Sequence, residues 1–255
     1  PVPDTAHVEQ TSAQRLQEWL ALANNAHAGR ATLLLDEPPD ENPDYAGEAP
    51  VQVGERLIEA IDAARSDVWL VSAYLIPTDE LEAAIERAIA RGVRVRILTN
   101  SISSNNHLTA HAAYRRHVQA LVKMGTEVHE VREDAKDREL YIESPVEDKS
   151  LCLHAKVLLF DDDLAFVGSA NLDPRSLQLN TEMGLLIESS SLNAEIRSIL
   201  EPDFSLKNAW QVSLGGDGEM SWTSDDAVLD HQPEPSFMRR IEDWFFSLLP
   251  LEDEL

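Results

Sequence analysis

The chain has 255 residues, of which 43% are hydrophobic, and 46 Asp and Glu against 21 Lys and Arg give it a formal charge of −25. Such an acidic surface repels nucleic acid and anionic membrane at long range, and no apolar run approaches the roughly 20 residues that a membrane-spanning helix needs. The single cysteine, Cys152, excludes an internal disulfide framework and a cysteine-based zinc cluster.

The first 50 residues are expected to lie outside the main sheet-forming part of the chain. Residues 1–10 are polar and proline-containing, which is typical of a linker within a longer protein. Apolar residues at helical spacing, closed by Gly29, predict a helix over residues 11–28. Residues 31–35 form a short apolar run that predicts a strand, and an acidic, proline-rich loop follows it.

Helical and strand patterns alternate from residue 51 to residue 206. The alternation predicts an α/β fold with a central mixed, mostly parallel sheet between layers of helices. Residues 132–150 are charged and irregular, which predicts a surface loop, with a lid as the alternative. The predicted helices span residues 53–66, 78–92, 107–125 and 192–204, and the predicted strands span residues 67–76, 93–100, 126–132, 151–160, 164–170 and 181–189.

The tail from residue 207 predicts two short strands, over residues 214–223 and 227–231, and a final helix over residues 235–250. The glycines of GGDG do not open a helix after a strand, so they predict a tight turn rather than a phosphate loop. The final helix carries an apolar stripe that either packs on the core or makes shallow membrane contact. The stripe consists of Phe237, Ile241, Trp244, Phe245 and Leu248.

The stretch LHAKVLLFDDDLAFVGSANLDPRSLQLNTE, residues 153–182, contains the polar residues that could take part in catalysis. Side chains alternate across a strand, so His154 and Lys156 share one face. A two-residue turn at Asp162 and Asp163 would pair residues whose numbers sum to 325. His154 would then face Asn171 and Lys156 would face Ser169, whereas a slip of one residue would send the two pairs to opposite faces.

The polar groups of this patch suit a phosphoryl group. Lysine supplies positive charge, and Ser169 and Asn171 supply hydrogen-bond donors, for oxygens that gain charge during transfer. His154 can act as nucleophile or as acid and base, and Glu182 on the next strand can fix its tautomer. The alternative is a polar hairpin network without a chemical role.

The residues HAKVLLFD match the HxKxxxxD signature of the phospholipase D superfamily, with His154, Lys156 and Asp161 at the three positions. The continuation GSANLDPRSLQLNTEMGLLIES resembles bacterial cardiolipin synthases. VWLVSAYLIP, RGVRVRILTNS and WQVSLGGDGEMSW are similar to the C-terminal half of the cardiolipin synthase C group. The resemblance implies a phospholipase D-like domain and a catalytic set of His154, Lys156, Asp161, Ser169, Asn171 and Glu182. Asp161 falls on the other face from His154, which favours a structural role at the turn.

Members of that group carry two HKD motifs around one active site, and this chain shows one. The resemblance implies that one histidine forms a phosphohistidine while the other acts as acid and base, the latter being His154. Because one histidine cannot do both in the same step, a lone monomer is expected to be nearly inactive. The second motif would come from an N-terminal half or from a second copy, covering an exposed face around Cys152, His154 and Ser169.

Four further residues are predicted to bind substrate. Asn100 and Tyr74 lie at the carboxyl ends of predicted strands, and ligands of α/β sheets bind beyond those ends. His111 and Tyr114 share a helix face and either pack in the interior or line the substrate groove. The spacing of His107, His111 and His117 does not favour a metal site, and no metal or cofactor is predicted.

The predicted activity is phosphatidyl transfer between phospholipids such as phosphatidylglycerol, through a phosphohistidine. The alternatives are a phospholipase D or other phosphodiesterase that uses water, a homodimeric single-motif nuclease, and a non-enzymatic lipid-binding protein. The expected setting is bacterial, peripheral at the cytoplasmic side of the inner membrane, without nucleic acid. The predicted divisions are residues 1–50, with linker, helix and acidic loop; 51–206, a catalytic half-domain with one HKD motif; and 207–255, a β-hairpin and an amphipathic helix.

Overall fold

A computed structural model describes residues 12–36, 52–105, 107–142, 150–216, 218–234 and 236–246. Within these ranges no helix is long and apolar enough to cross a membrane. The helices are α1 Ser12–Asn24, α2 Gln52–Ala63, α3 Asp79–Ala90, α4 Leu108–Met124, α5 Ser190–Leu200 and α6 Phe237–Phe246. The strands are β1 Arg30–Leu35, β2 Asp67–Ser72, β3 Arg94–Asn100, β4 Glu127–Val131, β5 Lys156–Phe160, β6 Leu164–Gly168, β7 Met183–Glu188, β8 Ala209–Leu214, β9 Met220–Thr223 and β10 Val228–Leu229.

The described strands form one mixed sheet in the order β1-β7-β6-β5-β2-β3-β4-β8-β9-β10. Only the β2–β3 and β3–β4 pairs are parallel, and the other seven pairs are antiparallel. The predicted mixed sheet is therefore confirmed, but the predicted parallel majority is wrong. Crossover helices link β2, β3 and β4, whereas β5 and β6 are joined by a three-residue turn, which only antiparallel strands permit.

Helices cover both faces of this sheet. On one face α2, α3 and α4 bury Leu57, Ile85 and Tyr114 against the inward side chains of β2 and β5. On the other face Leu200 of α5 and Phe204 pack on Trp69 and its neighbours. The two clusters use alternate residues of the same strands, as the pleat requires.

An N-cap and a closing glycine explain where two of the helices begin and end. The Thr78 hydroxyl accepts a hydrogen bond from the Leu81 amide, 3.3 Å away, at the start of α3. Gly125 ends α4 with a φ of 105°, a left-handed conformation that suits glycine.

Several predicted boundaries differ from the structure. The predicted strand over residues 151–160 begins only at Lys156, and β8 was not predicted as a strand. Helix α1 ends at Asn24, and it buries none of its residues. Strands β1 and β8 to β10 lie in the same sheet as β2 to β7, so all three predicted divisions contribute to it; the division boundaries themselves stay a prediction. Residues 1–10, most of the acidic loop and residues 143–149 of the predicted 132–150 loop lie outside the described residues.

The apolar stripe of α6 is not packed in the core where it is described. Ile241, Trp244 and Phe245 are 41%, 53% and 55% exposed. The core-packing alternative is therefore wrong for these three residues. Leu248 and the side chain of Phe237 lie outside the described part of the chain.

Candidate active site

The hairpin that carries the HKD motif is one residue out of the predicted register. Phe160 pairs with Leu164 across a three-residue turn, so paired residues sum to 324 rather than 325. Asp161, the first turn residue, has a φ of 47°. Asp-Asp is a poor two-residue hairpin turn, and a longer turn that places an aspartate in the left-handed region is more favourable.

This register places Lys156 opposite Gly168 rather than Ser169. In a continued ladder Ser169 and Asn171 would lie on the opposite face from Lys156. However, strand β6 ends at Gly168, and the following residues are held differently. Leu172 bonds to the end of β2, its amide lying 3.1 Å from the Ser72 hydroxyl and 3.2 Å from the Tyr74 carbonyl. The chain therefore turns toward the carboxyl end of β2, which pairs directly with Lys156 through Ser72.

His154 and Lys156 converge, as predicted from the strand pleat. The Lys156 ammonium donates to the His154 carbonyl at 3.0 Å, and its Nζ lies 3.3 and 3.4 Å from the two ring nitrogens. Lys156 is 8% exposed, whereas the His154 side chain is open to solvent. Burial lowers the pKa of Lys156, and the nearby charges of Glu182, Asp173 and Cys152 only partly oppose this. The ammonium is thus held against the imidazole, and no carboxylate of the described residues lies in close contact with it.

Residues 151–155 are held by a side chain rather than by a strand ladder. Asn100, at the end of β3, accepts a hydrogen bond from the Leu153 amide and donates to the Leu153 carbonyl, both at 2.9 Å. It also donates to the Ala73 carbonyl at 2.9 Å. This pairing fixes the backbone next to His154. Asn100 was predicted to bind substrate, but it is buried and its amide is engaged with backbone, so the structure makes it a positioning residue instead.

Glu182 lies in the site but does not contact His154. Its carboxylate accepts hydrogen bonds from the Ser169 hydroxyl and from the Asn180 amide, the latter at 3.2 Å. The predicted Glu182–His154 bond is therefore wrong among the described residues, where Ser169 and Asn180 each bond to one of the two carboxylate oxygens. Glu182 acts on the motif through its charge, which raises the pKa of Lys156 against the effect of burial.

Two buried aspartates of the site were not predicted. Asp36 accepts hydrogen bonds from the backbone amides of Val53 at 3.0 Å and Glu182 at 3.2 Å, and so ties β1 and α2 to the site. Asp173 accepts from the Ser176 amide at 2.7 Å. Burial raises the pKa of Asp173, and the charge of Glu182 adds to this, against hydrogen bonds from Ser176 and Asn171. The sequence signal that could have indicated Asp173 is its position in NLDPRS, two residues after Asn171.

Asn171 lies between these groups. Its side-chain amide hydrogen-bonds to Asp173, while its Oδ1 atom is buried and has no hydrogen-bond partner among the described residues. An unsatisfied buried polar atom is costly, and a role in the chemistry of the site is one explanation for it. Asn171 thus lies at the same end of the sheet as Lys156 and Glu182, as predicted. Its bond to Asp173, and not the predicted strand pairing, links it to them.

Gly168 and Gly184 explain how the hairpin fits beside this site. They pair with each other across β6 and β7, and the Phe166 ring packs over both. A Cβ on Gly168 would lie 2.6 Å from the Phe166 ring and 2.5 Å from the Met183 carbonyl, and a Cβ on Gly184 would also clash with the ring. Only glycine fits at either position.

Asp161 lies at the far end of β5 from His154, at roughly 20 Å for seven extended residues. Its carboxylate accepts hydrogen bonds from the amides of Arg65, Ser66 and Asp67 at 2.8–3.2 Å, and from the Ser66 hydroxyl at 2.8 Å. Burial alone would raise the pKa of Asp161, but the bonds from Ser66 and its neighbours lower it on balance. These hydrogen bonds support its predicted structural role at the turn, and its inclusion in the catalytic set stays a prediction.

The remaining substrate-binding candidates divide into two kinds. His111 and Tyr114 are 0% and 3% exposed, and the Tyr114 hydroxyl donates to the buried Glu130 at 2.9 Å. The packing alternative therefore holds for both, and the substrate-groove alternative is wrong. Tyr74 is half-buried beyond the end of β2, with its ring edge-on to His107 at 5.7 Å, and it stays a candidate. Within the described ranges no group of three or more acidic, histidine or cysteine side chains could hold a metal ion.

Comparison with known proteins shows the family of the chain. The family described as "Cardiolipin synthase, PLD-like domain" matches residues 57–204. Cardiolipin synthase C of Escherichia coli (strain K12) is 32% identical over 204 residues, which make up 78% of this chain and 43% of that protein. The chain therefore spans less than half the length of this relative.

Two solved structures share the fold. Phosphatidylserine synthase of Haemophilus influenzae Rd KW20 superposes with a TM-score of 0.54 at 15% identity, over 88% of this chain and 46% of that chain. Nuc from Salmonella typhimurium, a phospholipase D family member, superposes with a TM-score of 0.50 at 17% identity, over 73% of this chain and 99% of that chain.

Proposed function

Because this chain belongs to the PLD-like domain family of cardiolipin synthases, we propose that it is one catalytic half of a two-motif phosphatidyltransferase. The observation that carries the proposal is the Lys156 ammonium held against both ring nitrogens of the exposed His154. A buried lysine with a lowered pKa, presented beside an accessible imidazole, suits an anionic phosphoryl group. The substrates are phospholipids such as phosphatidylglycerol, and the acceptor is a lipid hydroxyl.

The proposed reaction needs two histidines. One attacks phosphorus and forms a phosphohistidine, and the other protonates the leaving alcohol and then deprotonates the incoming hydroxyl. We assign the acid and base role to His154. Lys156 neutralises the charge of the non-bridging oxygens, and Asn171, Glu182 and Ser169 support that end of the site. The reaction needs no metal or cofactor in this scheme.

The second histidine would come from the other half of a longer chain or from a second copy of this one. The exposed side chains of Cys152, His154 and Ser169 leave the motif open on the side where such a partner would lie. The 43% coverage of cardiolipin synthase C supports a second half in the same polypeptide. The formal charge of −25 argues against the homodimeric nuclease alternative.

We place the enzyme at the cytoplasmic side of a bacterial inner membrane, as a peripheral protein. The support is the exposed apolar surface of α6, where Met238, Trp244 and Phe245 are more than half exposed. A helix with such a face binds at the boundary between headgroups and acyl chains.

The test is complementation. The chain alone, kept monomeric as shown by light scattering at the assay concentration, should give almost no turnover of phosphatidylglycerol vesicles, and adding the other HKD half in trans should restore it. The products decide the reaction, since cardiolipin indicates transfer and phosphatidic acid indicates hydrolysis by water. His154→Asn in the complemented enzyme is the matched loss-of-function control. Substantial turnover by a strictly monomeric chain would refute the two-histidine scheme.

A further inference from the structure

Asp36 follows strand β1 directly and is 3% exposed. It keeps the strand pairing of β1 with β7, so its side chain lies on the same face of the sheet as that of Leu34. Leu34 packs in the same buried cluster as Leu158 of β5, and Lys156 precedes Leu158 by two residues. The Asp36 carboxylate and the HKD lysine therefore share one face of the sheet.

Asp36 and Glu182 extend the β1–β7 pairing by one residue. The Asp36 amide donates to the Glu182 carbonyl at 2.9 Å, and the Glu182 amide donates to Oδ2 of Asp36 at 3.2 Å. In a regular antiparallel pair the second bond would go to a backbone carbonyl, so the Asp36 side chain takes that place in the ladder. One residue thus holds both backbone groups of Glu182.

The other carboxylate oxygen of Asp36 reaches helix α2. Oδ1 accepts a hydrogen bond from the Val53 amide at 3.0 Å, and Val53 is the second residue of α2 and fully buried. Amides in the first turn of a helix have no partner within the helix, and a negative charge is favourable there. Asp36 therefore ties the backbone of Glu182 to a helix that packs in the core.

Glu182, the residue that Asp36 holds, supplies the strongest of the charges that act on Lys156. Burial lowers the pKa of Lys156, and the charges of Glu182, Asp173 and Cys152 oppose this, with Glu182 having the largest effect of the three. The other group that faces the ammonium is the ring of His154. Because an electrostatic interaction weakens with distance, a displaced Glu182 would support the ammonium less.

We propose that Asp36 is a positioning residue of the active site, which holds Glu182 where its carboxylate supports the Lys156 ammonium. The inference rests on the proposed function, in which that ammonium neutralises the phosphoryl oxygens. A carboxylate is needed because asparagine offers one acceptor oxygen for two backbone amides, and its NH₂ group would face the second amide. A residue that only joined β1 to α2 would stabilise the fold without affecting the titration of Lys156.

The first test is an NMR titration of Lys156 in the 255-residue chain. Lysine labelled with ¹³C at Cε gives few signals, because the sequence has five lysines, and Lys156→Met identifies the signal of Lys156. Glu182→Gln should lower the titration midpoint of Lys156, and Asp36→Asn should lower it by at least half as much. Thermal melts establish that each variant is folded at the temperature of the titration.

Asp161→Asn is the matched control, because Asp161 also accepts hydrogen bonds from backbone amides but lies at the far end of β5. It should leave the midpoint unchanged, and a shift as large as that of Asp36→Asn would overturn the proposal. If Asp36→Asn does not fold, Asp36→Ser, which also leaves one amide without its acceptor, is titrated in its place. An unchanged midpoint in the folded variant would equally overturn the positioning role.

A double variant separates positioning from the charge of Asp36 itself. Asp36→Asn combined with Glu182→Gln should titrate like Glu182→Gln alone, since residues that act through one another are not additive. Additive shifts would mean that Asp36 acts on Lys156 directly through its own charge, and the positioning role would be wrong.

The functional arm uses the enzyme complemented with its second half. Asp36→Asn should lower kcat for phosphatidyl transfer at least ~10-fold, because a small misplacement in an active site costs rate, and Asp162→Asn, at an exposed position, should leave kcat unchanged. If the wild-type enzyme hydrolyses phospholipid but transfers to no alcohol, the proposed transferase function fails, and the NMR titration alone decides the role of Asp36. If it transfers and kcat is unchanged in Asp36→Asn, the positioning role fails and the proposed function stands.

Discussion

The two ends of strand β5 are built in opposite ways. At one end the Asp161 carboxylate is saturated by hydrogen bonds from residues 65–67, and its pKa is lowered. At the other end the Lys156 ammonium is buried, faces an imidazole and a carbonyl, and has a lowered pKa. A lowered pKa means a stabilised charge for an acid and a destabilised charge for a base. The same motif therefore supplies an anchor at one end and an unsatisfied charge, available to substrate, at the other.

The largest expected effect is on catalysis at the lysine end. Lys156→Ala should lower phosphatidyl transfer at least 100-fold, about 3 kcal/mol of transition-state stabilisation, which lies within the range for one preorganised donor. The free energy of unfolding should change little, because the ammonium makes no close ion pair with any residue that the structure describes. Steady-state transfer rates of the complemented enzyme and urea melts measure the two quantities.

Lys123→Ala, at an exposed position on α4, is the matched control and should leave both quantities unchanged. Lys156→Arg should rescue activity only in part, since a planar guanidinium does not replace a compact ammonium. Activity of Lys156→Ala within tenfold of wild type would contradict the charge role.

The next effect is on stability at the aspartate end. Asp161→Ala should lower the free energy of unfolding by about 2–3 kcal/mol, because it leaves the amides of residues 65–67 without their acceptor and places a Cβ residue with a poor left-handed propensity at a φ of 47°. Asp161→Gly removes the carboxylate, but glycine adopts the positive φ without strain. It should therefore lower the free energy of unfolding by less than Asp161→Ala does. Denaturant melts give both values.

The exposed neighbour Asp162 provides the control, since Asp162→Ala should cost less than about 0.5 kcal/mol. Catalytic rate per folded molecule should be retained in Asp161→Ala at low temperature. If a fully folded Asp161→Ala variant loses as much rate as Lys156→Ala, Asp161 contributes to catalysis and its role is not only structural.

Sequence reasoning found the convergence of His154 and Lys156 because it depends only on the two-residue period of a strand. It missed the hairpin register, which depends on whether the turn has two or three residues, a choice that the Asp-Asp-Asp run leaves open. It also misassigned Asn100 and Glu182, since their partners are set by packing. Asn100 bonds to a residue 53 positions away, and Glu182 accepts a hydrogen bond from Ser169 instead of His154.

The remaining misses have the same origin. Asp36 reaches Glu182 across 146 positions of sequence, which no local pattern encodes. The parallel majority was inferred from helix–strand alternation in residues 51–132, where the pairs are indeed parallel. It was extended to β5–β7, where a three-residue turn joins β5 to β6 and no α-helix lies between β6 and β7. Tyr114 shares its helix face with His111 as predicted, but that face is turned inward to Glu130.

The smallest effect concerns the pH dependence of stability at Lys156. Its folded pKa lies below the ordinary 10.5, so between the folded and unfolded pKa values the unfolded chain binds more protons and the wild-type free energy of unfolding rises with pH. Lys156→Met removes this titration and keeps the aliphatic stem. The variant should therefore be at least as stable as wild type at pH 7, and its advantage should shrink as the pH rises toward 10.5. Urea melts of both proteins from pH 7 to pH 10 measure the difference, in which the other titrating groups cancel, and Lys123→Met should show no such trend. A variant that is less stable than wild type at pH 7, with a gap that closes as the pH rises, would mean that the Lys156 ammonium is stabilised by the fold and that the two ends of β5 are alike.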